Sequence, residues 1–356
     1  MSEEHEGNPP VAGPIPPTTG RRRRPRYSGK NPRRFEEKYK EHNPELYADT
    51  VAKVLASGKT PAGSHRPIMV AEILEALSPR PGDLVVDCTL GFGGHAQELL
   101  ARIRPGGRLI ALDADPIELP KTEMRLRAAD YGPETFTSIR SNFAGLPQAL
   151  AKLEISGADC ILADLGVSSM QLDNPARGFS VKSEGPLDMR MNPQRGFPAS
   201  ALLQKSEPAA LARLLEDNAD EPHAQLLAAA LARNHFATTT ALAQAVRTAL
   251  SRVSRDEQDL SIRRVFQALR IAVNDEFSAL DTLLRHLPQC LNPGGRVAIL
   301  TFHSGEDRRV KKAFEAGQQR GDYSEISREV VRPSPEERRD NPRSSPAKLR
   351  WAKKAK

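Results

Sequence analysis

The sequence predicts an α/β fold: a parallel sheet covered by helices on both faces, interrupted by an all-helical insertion and flanked by basic ends. Three observations predict it. Apolar runs that end in or beside a carboxylate recur at Leu84–Cys88, Arg108–Asp113 and Cys160–Leu165, with turn residues and helix-period segments between them. Strands that alternate with helices in this way build a parallel sheet. From about residue 170 to 260 the rhythm gives way to a loop and an Ala/Leu-rich stretch with no strand signal. The charge is also uneven. Residues 1–34 hold 8 Lys/Arg against 3 Glu, and residues 316–356 hold 11 Lys/Arg against 6 Asp/Glu, so the net +7 of this 356-residue chain belongs to its ends.

In chain order, residues 1–34 carry 7 Pro and the run Arg21-Arg22-Arg23-Arg24-Pro25-Arg26. They bury too little apolar surface to offset chain entropy and read as a disordered Pro/Arg-rich arm. Residues 35–64 read as a helical lead-in. The main α/β domain is expected over 65–170 and 262–356, with helices at Ile68–Leu77, 95–103 and 263–287. A weaker strand lies near Phe136–Ser141, and Arg296–Phe302 forms another after the turn Asn292–Gly295. Residues 171–261 read as a glycine- and proline-punctuated loop, Gln171–Pro198, and then three or four short helices with Ser206 and Thr238–Thr240 as N-caps. The tail beyond about 316 reads as polar and mostly irregular until Ser344–Lys354.

Several classes drop out. No run approaches the roughly 20 apolar residues of a membrane-spanning helix. The Arg cluster lacks the apolar core of a secretory signal. Three distant cysteines, Cys88, Cys160 and Cys290, fit neither a disulfide framework nor a zinc site, so a reducing, cytoplasmic setting without a metal is expected.

The chemistry concentrates in a few segments. Asp87-x-x-x-Gly91-x-Gly93-Gly94-His95 is a strand end, a tight glycine turn and a helix start; with Ala96 it matches G-x-G-x-x-A, and Asp113 follows Gly93 by 20 residues. A carboxylate there accepts hydrogen bonds from ribose hydroxyls, which NAD and S-adenosyl-L-methionine (SAM) both possess. Asp87 suits the ammonium of a methionine moiety better than a pyrophosphate, and one nucleotide-binding half with a helical insertion also favours SAM. A glycine turn that binds nothing is the plain alternative. Asp164, Ser168, Ser169 and Gln171 close the fourth strand and face the same crevice, although Asp and Ser also make simple turns. Arg177, Phe179, Asp188, Met189 and Arg190 lie in one loop, suited to gripping phosphate and facing an unstacked base, or to packing on itself. Arg270 and Asn274 share a helix face, with Arg270–Glu276 pairing at the surface as the alternative. His303 beside Ser304 is not a hydrolase pair, because neighbours on a strand point oppositely and no G-x-S-x-G elbow exists. A structural, pocket-facing His303 is the expectation.

Together, HRPIMVAEIL, DCTLGFGGHA, ALDADP, ADLGVSSMQLD, RGFS, GPLDMRM, FQALRIAVNDE, TFHSGEDR and NPRSSPAKLR resemble the RsmH (MraW) family from about His65 to Arg350. The resemblance implies a class I (Rossmann-like) SAM methyltransferase sheet carrying an inserted all-helical substrate domain. It also implies transfer of a methyl group to N4 of one cytidine, position 1402 in standard rRNA numbering, in the decoding centre of 16S rRNA. The family's cofactor contacts correspond to Gly93, Gly94, His95, Asp113, Phe143, Asp164 and Gln171. Two departures stand out: an arm of about 60 residues before the family's start, and Met170 where a proline is expected. The Asp/Ser-Pro-Pro-aromatic motif of DNA amino-methyltransferases is absent, and Asp164-Leu165-Gly166 stands in its place.

For catalysis, Asp164 is expected to accept a hydrogen bond from the cytosine amino group, with Asp188 and His303 as secondary candidates. Arg177, Phe179, Arg190, Arg270 and Asn274 are expected to touch substrate. The competing readings are an amino-methyltransferase for another nucleic acid and a ribosome assembly factor that keeps the fold without turnover. The expected partner is the small ribosomal subunit, with no membrane and no protein partner. Arg21–Arg26, Arg343, Lys348, Arg350 and Lys353–Lys356 would contact phosphates with a salt-dependent affinity. Deleting residues 1–34 is therefore expected to weaken rRNA binding and flatten its salt dependence while leaving SAM affinity unchanged; an unaltered salt slope would count against this.

Overall fold

The protein is described by a computed structural model over residues 67–356; the expected arm at 1–34, with its Arg21–Arg26 run, and the lead-in at 35–64 lie outside the described residues. The described residues open with α1 (Val70–Leu77), which turns Ile73, Leu74, Ala76 and Leu77 inward. Then follow β1 (Leu84–Asp87), α2 (Gly94–Ile103), β2 (Arg108–Asp113), α3 (Glu118–Ala128), β3 (Phe136–Arg140), α4 (Leu146–Lys152) and β4 (Ala158–Asp164). A short α5 (Ser169–Asp173) leads into α6 (Ala199–Lys205), α7 (Pro208–Ala219), α8 (Ala224–Leu231) and α9 (Thr239–Ala249). The chain returns through α10 (Arg255–Asn274), α11 (Glu276–Cys290) and β5 (Leu291–Thr301), and ends with α12 (Ser304–Arg320), β6 (Tyr323–Ile326), α13 (Pro335–Asp340) and β7 (Lys348–Lys354).

The seven strands form one sheet in the order β3-β2-β1-β4-β5-β7-β6. β1 to β5 run parallel, whereas β7 is antiparallel to β5 and β6 to β7. Side chains alternate between the faces. Val85, Leu109, Leu162 and Ala298 pack with Met69, Leu99 and Leu100; Val86, Ile110, Ile161 and Val297 pack with Leu283, Leu287 and Phe314. Burial on both faces is why the inner strands read as unbroken apolar runs. The helical block between β4 and β5 has a core of its own, in which Leu211, Leu215, Leu227 and Leu242 meet Val265 and Leu269 of α10. Among the described residues no helix is long and apolar enough to cross a membrane.

Four sequence expectations are corrected. Ser206 does not start a helix: it ends α6, where its hydroxyl donates to the Leu202 carbonyl at 2.7 Å, and α7 starts at Pro208. Proline, with φ pre-set and no N–H to lose, takes the first helical position. Thr238 does cap α9, its Oγ1 accepting from Ala241 N at 3.2 Å. The single helix expected over 263–287 is two, divided at Asp275, which adopts a left-handed φ of 51°; unbroken apolar periodicity on both sides hid the break. The expected turn at Asn292–Gly295 lies inside β5, as an irregularity between the pairs Ala158↔Leu291 and Cys160↔Arg296.

The fourth correction is the stretch from about 316 to 343, which carries the end of α12, β6 and α13 rather than mostly irregular chain, while the Ser344–Lys354 segment that closes the tail holds β7. β7 pairs with β5 from Arg296↔Lys353 to Thr301↔Lys348, and Leu349 and Ala352 are buried. It reads as polar because its charges are neutralised inside the protein. Lys348 Nζ and Arg350 Nε reach the two Asp307 oxygens at 3.0 and 2.6 Å. Arg343 likewise binds Asp173 at 2.6 Å. Arg343, Lys348 and Arg350 are thus held by internal carboxylates rather than presented as free phosphate contacts.

Candidate active site

Three neighbouring strands, β2, β1 and β4, end in Asp113, Asp87 and Asp164. The strand order reverses between β1 and β4, the position where open α/β sheets bind ligands. A cleft of ≈ 1060 Å³ opens there. One wall is the glycine loop. Gly93 has φ 82°, and a Cβ there would sit 2.9 Å from Thr122 Cγ2, so the turn excludes side chains by both conformation and contact. Thr122 Oγ1 holds the Gly91 carbonyl at 2.6 Å, and the Arg125 guanidinium lies over the Phe92 ring at 3.8 Å. Asp113 accepts Gly91 N at 2.7 Å on one oxygen and Asp115 N at 2.8 Å on the other. Burial pushes its carboxyl up to about 6 despite those two donors.

Opposite stand Asp164 and His95. The His95 Nε2 lies 2.9 Å from the Ile68 carbonyl, and Nδ1 lies 3.5 Å from Asp164 Oδ2. A carbonyl only accepts, so Nε2 carries the hydrogen and the Nδ1 lone pair faces Asp164. Burial holds the imidazole below its ordinary value. The Asp164 carboxyl is pushed up to about 7, first by burial and then by the charge of Glu306. Asp164 and His95 thus form a pair suited to share one proton. Asp164 Oδ1 is buried and has no hydrogen-bond partner among the described residues. Asp87, also pushed to about 6 by burial, is 1% exposed and does not line the cleft; its Oδ1 accepts Thr89 N at 3.0 Å. The direct contact with an ammonium group expected for Asp87 is not open to it in this geometry.

All seven residues expected around the cofactor line the cleft, Phe143 and Gln171 included. Gln171 is fixed twice: its Oε1 accepts Ser168 N at 3.0 Å in a capping box, and its Nε2 donates to Asp115 at 2.8 Å. Of the expected substrate residues, Arg190, Arg270 and Asn274 line the cleft and Arg177 and Phe179 do not. Arg270 grips Glu276 with two hydrogen bonds of 2.8 and 2.9 Å. Asn274 takes Met191 N at 2.7 Å and donates to the Met189 carbonyl at 2.8 Å, tying the loop to α10.

The remaining candidates are corrected by their placement. Phe179 belongs to the core of the helical block. Arg177 is buried, joined to Asp115 at 2.7 Å and donating to the Arg190 and Met191 carbonyls. Asp188 is clasped by Arg190 Nε and Nη2 at 2.8 and 2.7 Å, and these hydrogen bonds outweigh burial and hold it below the usual carboxylate range. His303 caps α12 through Nδ1, and its Nε2 faces Glu306 at 3.2 Å. Neither Asp188 nor His303 lines the cleft.

Two residues that carry the architecture were not singled out by sequence. Asp115 is the hub that joins the Asp113 turn to Gln171 and Arg177. Its only signal was a second carboxylate two positions after Asp113. Glu306 is 3% exposed and lines the cleft, accepting Phe302 N at 2.8 Å. Burial pushes its carboxyl up, but His303, Arg270 and that N–H outweigh it and hold it low. A charged Glu306 is what Asp164 senses.

SAM fits this donor set. Each Asp113 oxygen, though it accepts one backbone N–H, keeps a lone pair for a ribose hydroxyl. The Gly91–Gly94 turn admits a close backbone approach, and Asp164 and Asp113 are carboxyls that a cationic sulfonium and ammonium would favour in ionised form. A family model described as the MraW methylase family matches residues 62–355. Ribosomal RNA small subunit methyltransferase H 2 of Alkaliphilus metalliredigens is 50% identical over 344 residues, spanning 94% of this chain and 98% of that one. Ribosomal RNA small subunit methyltransferase H 1 of Lachnoclostridium phytofermentans is 47% identical over 343 residues, spanning 94% and 93%. A methyltransferase H of Anaeromyxobacter dehalogenans is 42% identical over 309 residues, spanning 82% and 97%. The 94% matches reach well upstream of residue 62, so the N-terminal arm does not set this chain apart from those relatives. With SAM as its methyl donor, this chain belongs to the MraW methylase family.

Proposed function

We propose that the chain methylates the exocyclic N4 of cytidine 1402 (standard rRNA numbering) in the decoding centre of 16S rRNA, acting on the small ribosomal subunit in the cytoplasm. The observation that carries the chemistry is Asp164, a cleft residue whose buried Oδ1 has no partner among the described residues and whose other oxygen faces His95 as a proton-sharing neighbour. The substrate is supported by the relatives, named as small-subunit rRNA methyltransferases.

When bound, SAM supplies a methyl group on a positively charged sulfur. The amino lone pair of cytosine is delocalised into the ring and is a weak nucleophile. Asp164 Oδ1 accepts an N4–H, drawing that lone pair out of conjugation and orienting it, with reacting atoms about 3–3.5 Å apart. Once N4 carries the methyl it must lose a proton. Asp164 takes it, and His95 Nδ1, 3.5 Å from Oδ2, shares it. Arg270 and Glu276, by pairing with each other, keep a fixed wall beside the cleft. Asn274 and Arg177 hold the Met189–Met191 backbone at its mouth. The target base must be unstacked to enter, which single-stranded or loop RNA makes cheap.

The test is transfer of radiolabelled methyl from SAM to small subunits that lack their own modification, with the product nucleoside identified by mass spectrometry. N4-methylcytidine at one decoding-centre position is the expected product. SAM binding without transfer to any rRNA would refute the substrate.

A further inference from the structure

The cleft mouth carries a feature the chemistry above does not use. After Arg190 the loop runs through Asn192, Gln194, Arg195 and Gly196, all lining the cleft, and then presents Phe197 to solvent. Phe197 is 66% exposed, unusual for a phenylalanine because its ring has no polar atom to reward hydration. Lys205 Nζ, from the end of α6, lies 4.0 Å from the ring centroid. Arg195 and Lys205 are both exposed and have no ion-pair partner among the described residues, in contrast to Arg190, Arg270 and Arg343, which are all paired. The loop is folded on itself by hydrogen bonds of its own. Gln194 N and Arg195 N bond to Asn192, and Pro198 leads directly into α6.

Resting on the rRNA reading above, we infer that the face of the Phe197 ring turned away from Lys205 is a stacking platform for an unpaired base next to the methylated nucleotide, with Arg195 and the Lys205 ammonium on the other face holding the flanking phosphates. An aromatic face offers every base the same π-surface, and bordering cations suit the backbone that comes with it. The combination fits single-stranded RNA. An apolar protein partner would bury the ring but would leave Arg195 and Lys205, which have no carboxylate partner among the described residues, without a counter-charge.

The experiment compares Phe197→Ala, Phe197→Leu and Phe197→Trp in the full chain. It measures KM and kcat for small subunits lacking the modification, and SAM affinity by calorimetry. Stacking on a base is worth a loss of about 5- to 150-fold when the ring is removed. Expected are a KM for subunits raised in that range by Ala and by Leu, near-normal KM with Trp, and unchanged SAM affinity in all three. Lys205→Ala with Arg195→Ala should raise KM further and lessen its salt dependence. An unchanged KM in Phe197→Ala would overturn the inference while leaving the methyltransferase reading intact. Full rescue by Leu would also overturn it, because an apolar contact with protein would then explain the patch. Absence of transfer by the unsubstituted chain would overturn both.

Discussion

Replacing Asp164 by Asn is expected to make the protein more stable at pH 8 and much less active. The carboxyl is pushed up to about 7 in the folded chain, from an ordinary 3.8, by burial and by Glu306. Between those values the folded state binds more protons than the unfolded one, so stability falls as pH rises through this window and the loss is complete above about 7. The penalty at pH 8 is on the order of 2–4 kcal/mol. An amide carries no such penalty. The Asn variant should therefore gain several degrees in its thermal midpoint at pH 8 and almost nothing near pH 4. Scans at both pH values check this, and equal gains at each would show that the charge is not the cause. In the same variant, and in Asp164→Ala, methyl transfer should fall by about 10²–10³-fold, the cost of removing one group that acts on the transition state. Near-normal turnover with SAM still bound would exclude the acceptor role. Because a cation in the cleft favours ionised Asp164, SAM affinity should rise from pH 6 to pH 8 in the unsubstituted chain and rise less steeply in the Asn variant, where Asp113, pushed up to about 6, still titrates at the acid end of that window.

The second large effect is expected at Arg177. Its guanidinium neutralises Asp115, which is 1% exposed, and satisfies the carbonyls of Arg190 and Met191. Arg177→Ala leaves a buried carboxylate short of its charge partner and strands two carbonyl acceptors. Breaking a buried pair on one side costs about 3–5 kcal/mol, which predicts a midpoint lower by on the order of 10 °C. Asp115 also accepts Ile117 N and Gln171 Nε2, so the damage should extend to the start of α3 and to α5. The double replacement Arg177→Met with Asp115→Asn should recover part of the loss, because neither charge is then left alone. A single-variant loss below 1 kcal/mol, or no recovery in the pair, would show that the ion pair does not hold this junction.

Legibility in the sequence followed the range of the interactions. The glycine turn and Asp113 were readable because their constraint is local: a left-handed Gly93 and a carboxylate at the end of the next strand are set within one β-α-β unit. Asp164 was readable for the same reason, as the carboxylate that closes an apolar strand. The charged side chains of the later segments were harder. Arg177 and Asp188 read as groups free to meet substrate, and His303 as a structural residue and secondary catalytic candidate. Yet each is engaged by a partner: Arg177 by distant Asp115, and Asp188 and His303 by Arg190 and Glu306 close by in sequence, pairings set by how the folded loop and the start of α12 turn those side chains. A sequence shows that a residue can carry charge; it does not show whether a counter-charge 62 positions away has already claimed it.

The same division runs through the fold. Unbroken apolar runs, proline and glycine stops and the change of rhythm near residue 170 were sufficient for the α/β class and the helical insertion, because burial on two sheet faces or on one helix stripe writes itself into residue order. The antiparallel place of β7 between β5 and β6 needed the folded chain. KLRWAKK becomes an interior strand only when Asp307 neutralises Lys348 and Arg350 and the β5 backbone supplies its hydrogen bonds. The break at Asp275 and the pairing of His95 with Asp164 are likewise tertiary, since both depend on which surfaces meet after β1, β4 and α10 have packed.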